Sequence, residues 1–396
     1  MIKKNNKFRH PLMENNIDKD DISYVIKYLK QKEPQLTQSK NVRSFEQKWS
    51  KWLGVKYSIF VNSGSSANLL SLCALKEIYG VGEIIVPSLT WVSDIASVIQ
   101  LGFKPIFVDI NKFNLSMNTE EVLKKINRNT KAVFITYAQG FNGLNQNFLY
   151  ELKKKSIPLI EDVCESHGAK FNNKKLGSFG LISNFSFYYA HHMSTIEGGM
   201  VSTNSKKIYD IVCAFRSHGM LREINNDKLK QKIISNNKLL NKDFIFLYPA
   251  YNMRSTEINA LIGINQLKKL DQNIKIRNRN HKYFLENVDN KTFFTDFDLE
   301  GSSNYALNLV LRKKNKQLMK RLMLQLKKYN IEFRIGSAGG GNQLRQPYLK
   351  KYVNKKQYLN YLETEHVHFF GMYIGNYPTL TLKKVRQICK IINSVK

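Results

Sequence analysis

The stretch "YSIFVNSGSSANLLSLCALKEIYGVGEIIVPSLTW", residues 57 to 91, decides the fold. A β-type apolar run, YSIFV, gives way at Ser63 and Gly64 to a helical pattern, and a second run, EIIVP, follows the glycine at position 80. Strand, small-residue turn, helix and strand in that order make a β-α-β unit. Such a unit closes on a parallel sheet and leaves the strands' carboxyl ends open as a crevice. The pattern continues in PIFVDI, KAVFITY, IPLIED, NFSFYY and GMVSTN, with helical segments such as VSDIASVIQLG between several of them. The expected fold class is α/β, a mostly parallel central sheet with helices on both faces.

A chain of 396 residues exceeds one small core. A polar, Lys/Asn-rich excursion is expected over 221–245, with structure resuming at NMRSTEINALIGINQLKKL. The later segments NYALNLVLRK, KQLMKRLMLQLKKYN and HVHFFGMYIGNYP suggest a smaller α+β domain. The division expected is an N-terminal arm over 1–30, a large domain over 31–265 and a small C-terminal domain over 266–396. AGGGN, near 338, reads as a flexible loop with no clean helix after it.

Composition narrows the function. Net charge is +31, from 62 Lys+Arg against 31 Asp+Glu. The lysines are spread along the whole chain, without the clustered or aromatic-interleaved pattern of a nucleic-acid face, so small anionic substrates are the expected partners. No window approaches the run of about 18 apolar residues that spans a bilayer, and the opening residues lack the apolar core of a secretory signal. A cytoplasmic chain follows as an expectation. The scattered Cys73, Cys164, Cys213 and Cys389 argue against zinc, disulfides or an iron–sulfur cluster, and no metal is expected.

Four places carry the chemistry. Gly64, Ser65 and Ser66, between a strand and a helix start, suit a phosphate, although Ser65 or Ser66 would also serve as a plain helix cap. Trp91, at the next strand's end, suits stacking on a planar ring, although alone it reads as core. Glu161 and Asp162 end an apolar strand, so carboxylates are expected at the crevice, with Glu165 facing the same ligand or solvent. An aspartate there can hold a pyridine nitrogen protonated. In SFYYAHHMSTIEGGM, residues 186 to 200, Ser186 adds a hydroxyl and the chain turns through His191 towards Glu197.

With FEQKWSKWLGVKYSIFVNSGSSA, EDVCESHGA, EGGMV and NMRSTEINALIGINQL in this order, almost the whole chain resembles the DegT/DnrJ/EryC1/StrS sugar aminotransferases of pyridoxal-phosphate fold type I. In that family a lysine five residues after the serine carries the cofactor as a Schiff base; here that position is His191, 29 residues after Asp162. An imidazole cannot replace a primary amine in that bond, yet it moves protons near neutral pH. The departure resembles the branch that removes the C3 hydroxyl of nucleotide-linked 4-keto-6-deoxy sugars, of which the GDP-4-keto-6-deoxymannose enzymes stand nearest. The resemblance implies non-covalent pyridoxal 5′-phosphate and pyridoxamine 5′-phosphate, L-glutamate as amino donor, a nucleotide-diphosphate sugar as substrate, and a homodimer with shared active sites. It makes His191 the catalytic base. It places Gly64, Ser65, Ser66, Trp91, Asp162, Glu165 and Ser186 on the cofactor, with Asn252 reaching the partner's cofactor phosphate. Thr37, Gln38, His218, Arg222, Arg254 and Glu332 fall at substrate positions, the loop's usual glycine being Ser39 here. His192 reads as structural, and His167, His281, His366 and His368 as satisfied or exposed. Three alternatives stay open: an aminotransferase with a displaced lysine (Lys174 or Lys175), the iron–sulfur variant, and a non-catalytic binding protein on the same fold.

Overall fold

A computed structural model describes residues 9–395; the first eight residues of the expected arm lie outside them. Each apolar run becomes a strand: β1 (Tyr57–Val61), β2 (Glu83–Pro87), β3 (Lys104–Val108), β4 (Thr130–Thr136) and β5 (Leu159–Asp162). A short hairpin of β6 (Lys170–Phe171) and β7 (Lys174–Lys175) precedes β8 (Ile182–Ser186) and β9 (Gly199–Thr203). Seven of these form one sheet in the order β1-β9-β8-β5-β4-β2-β3. Neighbours from β3 to β8 pair parallel, and β9 runs antiparallel to both β1 and β8.

Period-two alternation assigns the two faces of the sheet. Ile84, Val86, Ala132, Phe134 and Ile160 pack with Ile95 and Val98 of the helix Val92–Gln100. Ile85, Val133 and Ile135 pack on the other face with Phe45 and Trp49 of the helix Lys40–Leu53. Burying a side chain of this size contributes about 1.5–3 kcal/mol, so covering both faces is what holds the strands flat against their helices.

NFSFYY stops being a strand at Ser186, earlier than its apolar run suggests. The Phe187 N–H bonds to the Gly198 carbonyl and the Thr195 N–H to the Phe187 carbonyl, both at 2.9 Å. Residues 188–194 therefore leave the sheet as a turn, with Tyr188 and Tyr189 exposed. The polar excursion contains a capped helix, Asp227–Asn236, none of whose residues is buried.

A 31-residue helix, Glu257–Asn287, ties the halves together. It sends Ala260, Ile264, Leu270 and Ile274 into the core beneath the large sheet, and Phe284 and Leu285 into a second core. That second core surrounds a three-stranded antiparallel sheet of β10 (Ala306–Val310), β11 (Phe333–Ile335) and β12 (Gly371–Gly375), in the order β10-β12-β11. Before the helix Lys19–Leu29 the chain crosses this small sheet, pinned at buried His10 by the Gly375 carbonyl at 2.9 Å and the Tyr377 hydroxyl at 3.0 Å.

Alternation also corrects the expectation for Glu161, which turns away from the crevice. Its buried carboxylate accepts from the Tyr137 hydroxyl at 2.7 Å and from the N–H groups of Gly177, Phe179 and Gly180 at 2.8, 3.0 and 2.6 Å. It organises a loop so that Asp162, one residue on, can face the other way. Replacing it strands the buried Gly177 N–H and the half-buried N–H groups of Phe179 and Gly180, a buried one costing about 1–3 kcal/mol. Glu161→Ala is expected to lower stability by about 3 kcal/mol or more, and Glu161→Gln, which keeps one acceptor, by less; urea midpoints followed by circular dichroism measure both.

Candidate active site

The strands' carboxyl ends, the 186–198 turn, the small sheet and residues 9–13 enclose a cavity of about 920 Å³. Its floor depends on a close approach of two backbones. Ser63 caps the helix Gly64–Tyr79, accepting from the Ser66 N–H at 3.1 Å, a role expected of Ser65 or Ser66. The Ser66 hydroxyl is committed to Asn62 at 2.6 Å, which leaves Ser65 free and exposed at the helix N-terminus. A Cβ on Gly64 would sit 2.6 Å from the Ser186 Cβ, and one on Gly199 would sit 2.2 Å from the Ser63 carbonyl oxygen. Only glycines let this N-terminus meet the ends of β8 and β9.

Around the floor stand the expected residues. Asp162 ends β5, its carboxylate held by the Cys164 N–H at 2.8 Å and the Asn68 amide at 3.2 Å. Trp91 lines the cavity with 56% of its surface exposed, so it is no core residue: its ring presents a bare apolar face. The Glu165 carboxylate accepts from the Gln139 N–H at 2.8 Å. Burial pushes Glu165 up to about 7; the Gln139 bond opposes the rise and nearby Asp162 adds to it.

His191 lies in the cavity wall, its backbone turned by a 3.0 Å bond from its N–H to the Tyr188 carbonyl. Its Nδ1 is buried without a partner. Burial, then the nearby Arg277 guanidinium, lowers its pKa to about 3, so the ring stands neutral as a free base. Among the described residues no lysine lines the cavity. Lys175 is held elsewhere, by the Trp52 carbonyl at 2.6 Å.

The other histidines divide. His192 is buried, its Nε2 at 3.0 Å from the Ser303 carbonyl, a structural role as expected. His366 and His368 have partners in the Leu311 carbonyl and the Asn342 N–H. His167 and His281 are neither satisfied nor exposed: both are fully buried among aromatic rings with both nitrogens unpartnered.

Of the expected residues, the cavity brings together Gly64, Ser65, Trp91, Asp162, Glu165, Ser186, His191 and Glu332; it is not lined by Ser66, Thr37, Gln38, His218, Arg222, Asn252 or Arg254. Three of the latter make a cluster of their own. Ser217 bridges Asn252, Val61 bridges Arg254, and the Arg254 guanidinium bonds the Asn252 side chain at 2.9 Å, beside His218 with its positive φ of 59°. Arg222 lies on the surface over the Phe244 ring. Thr37 and Gln38 precede the helix Lys40–Leu53, whose N-cap Ser39 makes no side-chain cap. Buried Glu257 supplies it instead, accepting from the N–H groups of Ser39, Asn41 and Val42 at 2.8, 2.9 and 2.9 Å.

The glycine run near 338, expected to be a flexible loop, forms a packed wall of the cavity. Ser337, Gly339, Gly340 and Gly341 all have positive φ. A Cβ on Gly339 would lie 1.9 Å from the Thr90 carbonyl oxygen, and the Gln343 N–H bonds Ser88 at 2.9 Å. Consecutive glycines were the available signal. Tyr305, Tyr373 and Arg334, which also line the cavity, carried none.

The profile of the DegT/DnrJ/EryC1/StrS aminotransferase family matches residues 15–393. The chain belongs to that family. Among members of the family it is 32% identical to the GDP-4-keto-6-deoxy-D-mannose 3-dehydratase of Escherichia coli O55:H7, over 90% of this chain and 93% of the relative. The solved E. coli 3-dehydratase with bound hydrated pyridoxal phosphate superposes with a TM-score of 0.87 at 29% identity, covering 97% of this chain and 99% of that one. A structure of the 3-dehydratase with a trapped pyridoxal-phosphate–glutamate geminal diamine gives a TM-score of 0.85 at 29% identity, over 97% and 100%.

Two measurements test this geometry. Glu257→Gln should speed amide hydrogen exchange over residues 35–42 by about tenfold, the loss of one to two hydrogen bonds to a charged acceptor. For Glu165, the folded chain keeps a proton that the unfolded chain has released between 4.5 and about 7. Its contribution to stability therefore falls as pH rises through that window and is level above it. Glu165→Gln lacks this slope, so the variant should gain on the parent between roughly pH 5 and pH 8 in urea titrations, a difference in which the opposing slope from His191 cancels.

Proposed function

We propose that the chain is a 3-dehydratase that removes the C3 hydroxyl of a nucleotide-linked 4-keto-6-deoxy sugar, GDP-4-keto-6-deoxymannose or a close analogue. Glutamate is the reductant: the products are the 4-keto-3,6-dideoxy sugar, 2-oxoglutarate and ammonia. The carrying observation is the imidazole of His191 in the wall of a cavity that no lysine lines among the described residues.

The residues fit pyridoxal phosphate. The free N–H end of the helix Gly64–Tyr79, with Ser65 and Ser186, suits its phosphate, the glycine contact at Gly64 opening the cradle. Bare Trp91 suits one ring face, and Asp162 suits the pyridine nitrogen. When bound, the cofactor supplies a carbonyl that takes the amino group of glutamate and a ring that withdraws electrons from the carbons attached to it. Everything else is work for the chain. Asp162 keeps the ring nitrogen protonated. His191, already unprotonated at neutral pH, accepts a proton on a ring nitrogen and returns it. With no lysine in the lining among the described residues, these side chains would hold the cofactor by contacts, and amino transfer would not end in capture by the protein. Glu165 and Glu332, in the same cavity, suit sugar hydroxyls or the amine.

Asn252, His218 and Arg254 cluster outside this chain's own cavity, and we assign them, with Arg222, Thr37 and Gln38, to the site of a second copy in a homodimer. A large and a small domain are proposed to join near residue 266, within the helix Glu257–Asn287, which sends Leu270 and Ile274 into one core and Phe284 and Leu285 into the other. Glutamate and nucleotide sugars are cytoplasmic metabolites, and we place the enzyme there, in dideoxysugar and surface-polysaccharide synthesis.

A non-catalytic role would leave the visible spectrum of the cofactor-loaded protein unchanged on adding glutamate; the dehydratase should lose its pyridoxal absorbance. Borohydride should fix no cofactor to the parent protein but should fix it to His191→Lys. His191→Asn should keep the glutamate response and lose C3 deoxygenation by at least about 100-fold, the size of a general-base contribution. Undiminished deoxygenation in that variant would remove His191 from the role.

A further inference from the structure

Asp94 lies in the first turn of the helix Val92–Gln100 and is fully buried. An acidic residue there ordinarily serves the free N–H groups of its own helix. Asp94 does not. Its Oδ2 accepts from the hydroxyls of Thr90, and of Thr136 at 2.7 Å, and its Oδ1 accepts from the Asn68 amide at 2.6 Å. The same Asn68 nitrogen reaches the Asp162 Oδ2 at 3.2 Å, so the two carboxyls meet at one amide group. Asp94 thus stands behind the carboxylate assigned to the cofactor's ring nitrogen, one layer deeper.

The remaining neighbours do not neutralise the pair. Cys164 and Tyr348 are the other titratable groups that feel Asp94, and both are neutral, burial pushing the thiol and the phenol up. Glu165 adds a further acidic group near Asp162. Among the described residues no lysine, arginine or histidine forms an ion pair or hydrogen bond with either carboxyl. Two carboxylates brought to one amide, with no cationic partner among the described residues, repel each other, and the deeper one is driven towards its neutral form. Of the two, Asp162 has the cavity and a backbone N–H to support its charge; Asp94 has only hydroxyls and a shared amide.

We propose that Asp94 is a positioning residue that carries a proton and donates it in a hydrogen bond to Asp162, so that the two carboxyls act as one singly charged unit behind the ring-binding face of the cavity. Burial, then the charge of Asp162, raises the Asp94 pKa well above the ordinary range, in keeping with that state. The unit fixes the orientation of Asp162 and moderates the negative charge it offers a ring nitrogen. The identity of the ring rests on the proposed function; the proton shared between the carboxyls does not.

The test separates the two. Infrared spectra of the holoprotein near neutral pH, parent minus Asp94→Asn, should show a deuterium-sensitive protonated-carboxyl band present in the parent and absent from the variant. An amide can donate to Asp162 as the acid does, so Asp94→Asn should bind pyridoxal phosphate within about threefold of the parent by fluorescence titration. Asp94→Leu, which has no donor, should bind about tenfold more weakly, the effect of one hydrogen bond to a charged acceptor. A difference spectrum with no protonated-carboxyl band overturns the proposal. So does an Asp94→Asn variant that binds as weakly as Asp94→Leu, because the amide would then have failed as a donor. A parent that binds no pyridoxal phosphate at all would instead count against the proposed function, while the infrared difference still decides the pair.

Discussion

The contact between Gly64 and Ser186 governs the site. A helix N-terminus offers unpaired N–H groups only where nothing fills the space in front of them. Here a single methyl group on Gly64 would overlap the Ser186 side chain, and one on Gly199 would strike the backbone of the same turn. The two glycines let the end of β8 and the start of the helix Gly64–Tyr79 share one floor. From that floor the chain turns out of the sheet at Phe187, and the turn delivers His191 to the wall. The position of the base is thus a consequence of where β8 must stop.

Electrostatics complete what packing begins. Arg277 is buried with no carboxylate partner among its hydrogen bonds; its guanidinium donates to the carbonyls of Tyr305 at 2.9 Å, of Asn376, and of His191 at 3.4 Å. Burial lowers its own pKa to about 10, so it remains a cation at neutral pH. Burial lowers the pKa of His167, His191 and His192, the nearby Arg277 cation adds to the effect, and the imidazoles are driven towards their neutral forms. Acid groups show the converse, since Glu165 and Asp94 are both pushed towards their protonated forms. One side of the cavity is poor in protons and the other holds them.

Much of this was legible in the residues, for reasons that differ by element. Strands β2 to β5 announce themselves because buried parallel strands are continuous apolar runs, and β1, paired antiparallel with β9 at the sheet edge, is as apolar. The floor residues follow from their place at strand ends. Glu161 misled because adjacent carboxylates look alike in a sequence, while alternation sends one to the crevice and the other to a loop. The wall at 337–341 misled for another reason: glycine runs permit flexibility but do not require it, and here they permit contact with the Thr90 backbone. Tyr305 and Tyr373 lie on or beside strands of the small sheet, and only the docking of that sheet on the large one brings them to the cavity. The Glu257 cap is hidden similarly, because it joins residues 39–42 to a helix more than two hundred positions away.

The pattern of what is kept bears on whether the site works. Loss of a lysine by drift would relax the demands on everything it served. Yet the carboxylate that would face a ring nitrogen retains Asn68 and the Cys164 N–H, and gains a second carboxyl behind it, at the cost of burying acid groups. Position 191 holds an imidazole kept in its basic form by burial and, beyond that, by a buried Arg277 cation that forms no ion pair among the described residues. Both features bury acid or charged groups, which costs stability. A costly arrangement of neutral base, paired acids and bare indole around one cavity is what proton transfer beside an untethered ring requires, and a merely inherited pocket would have no physical reason to keep it.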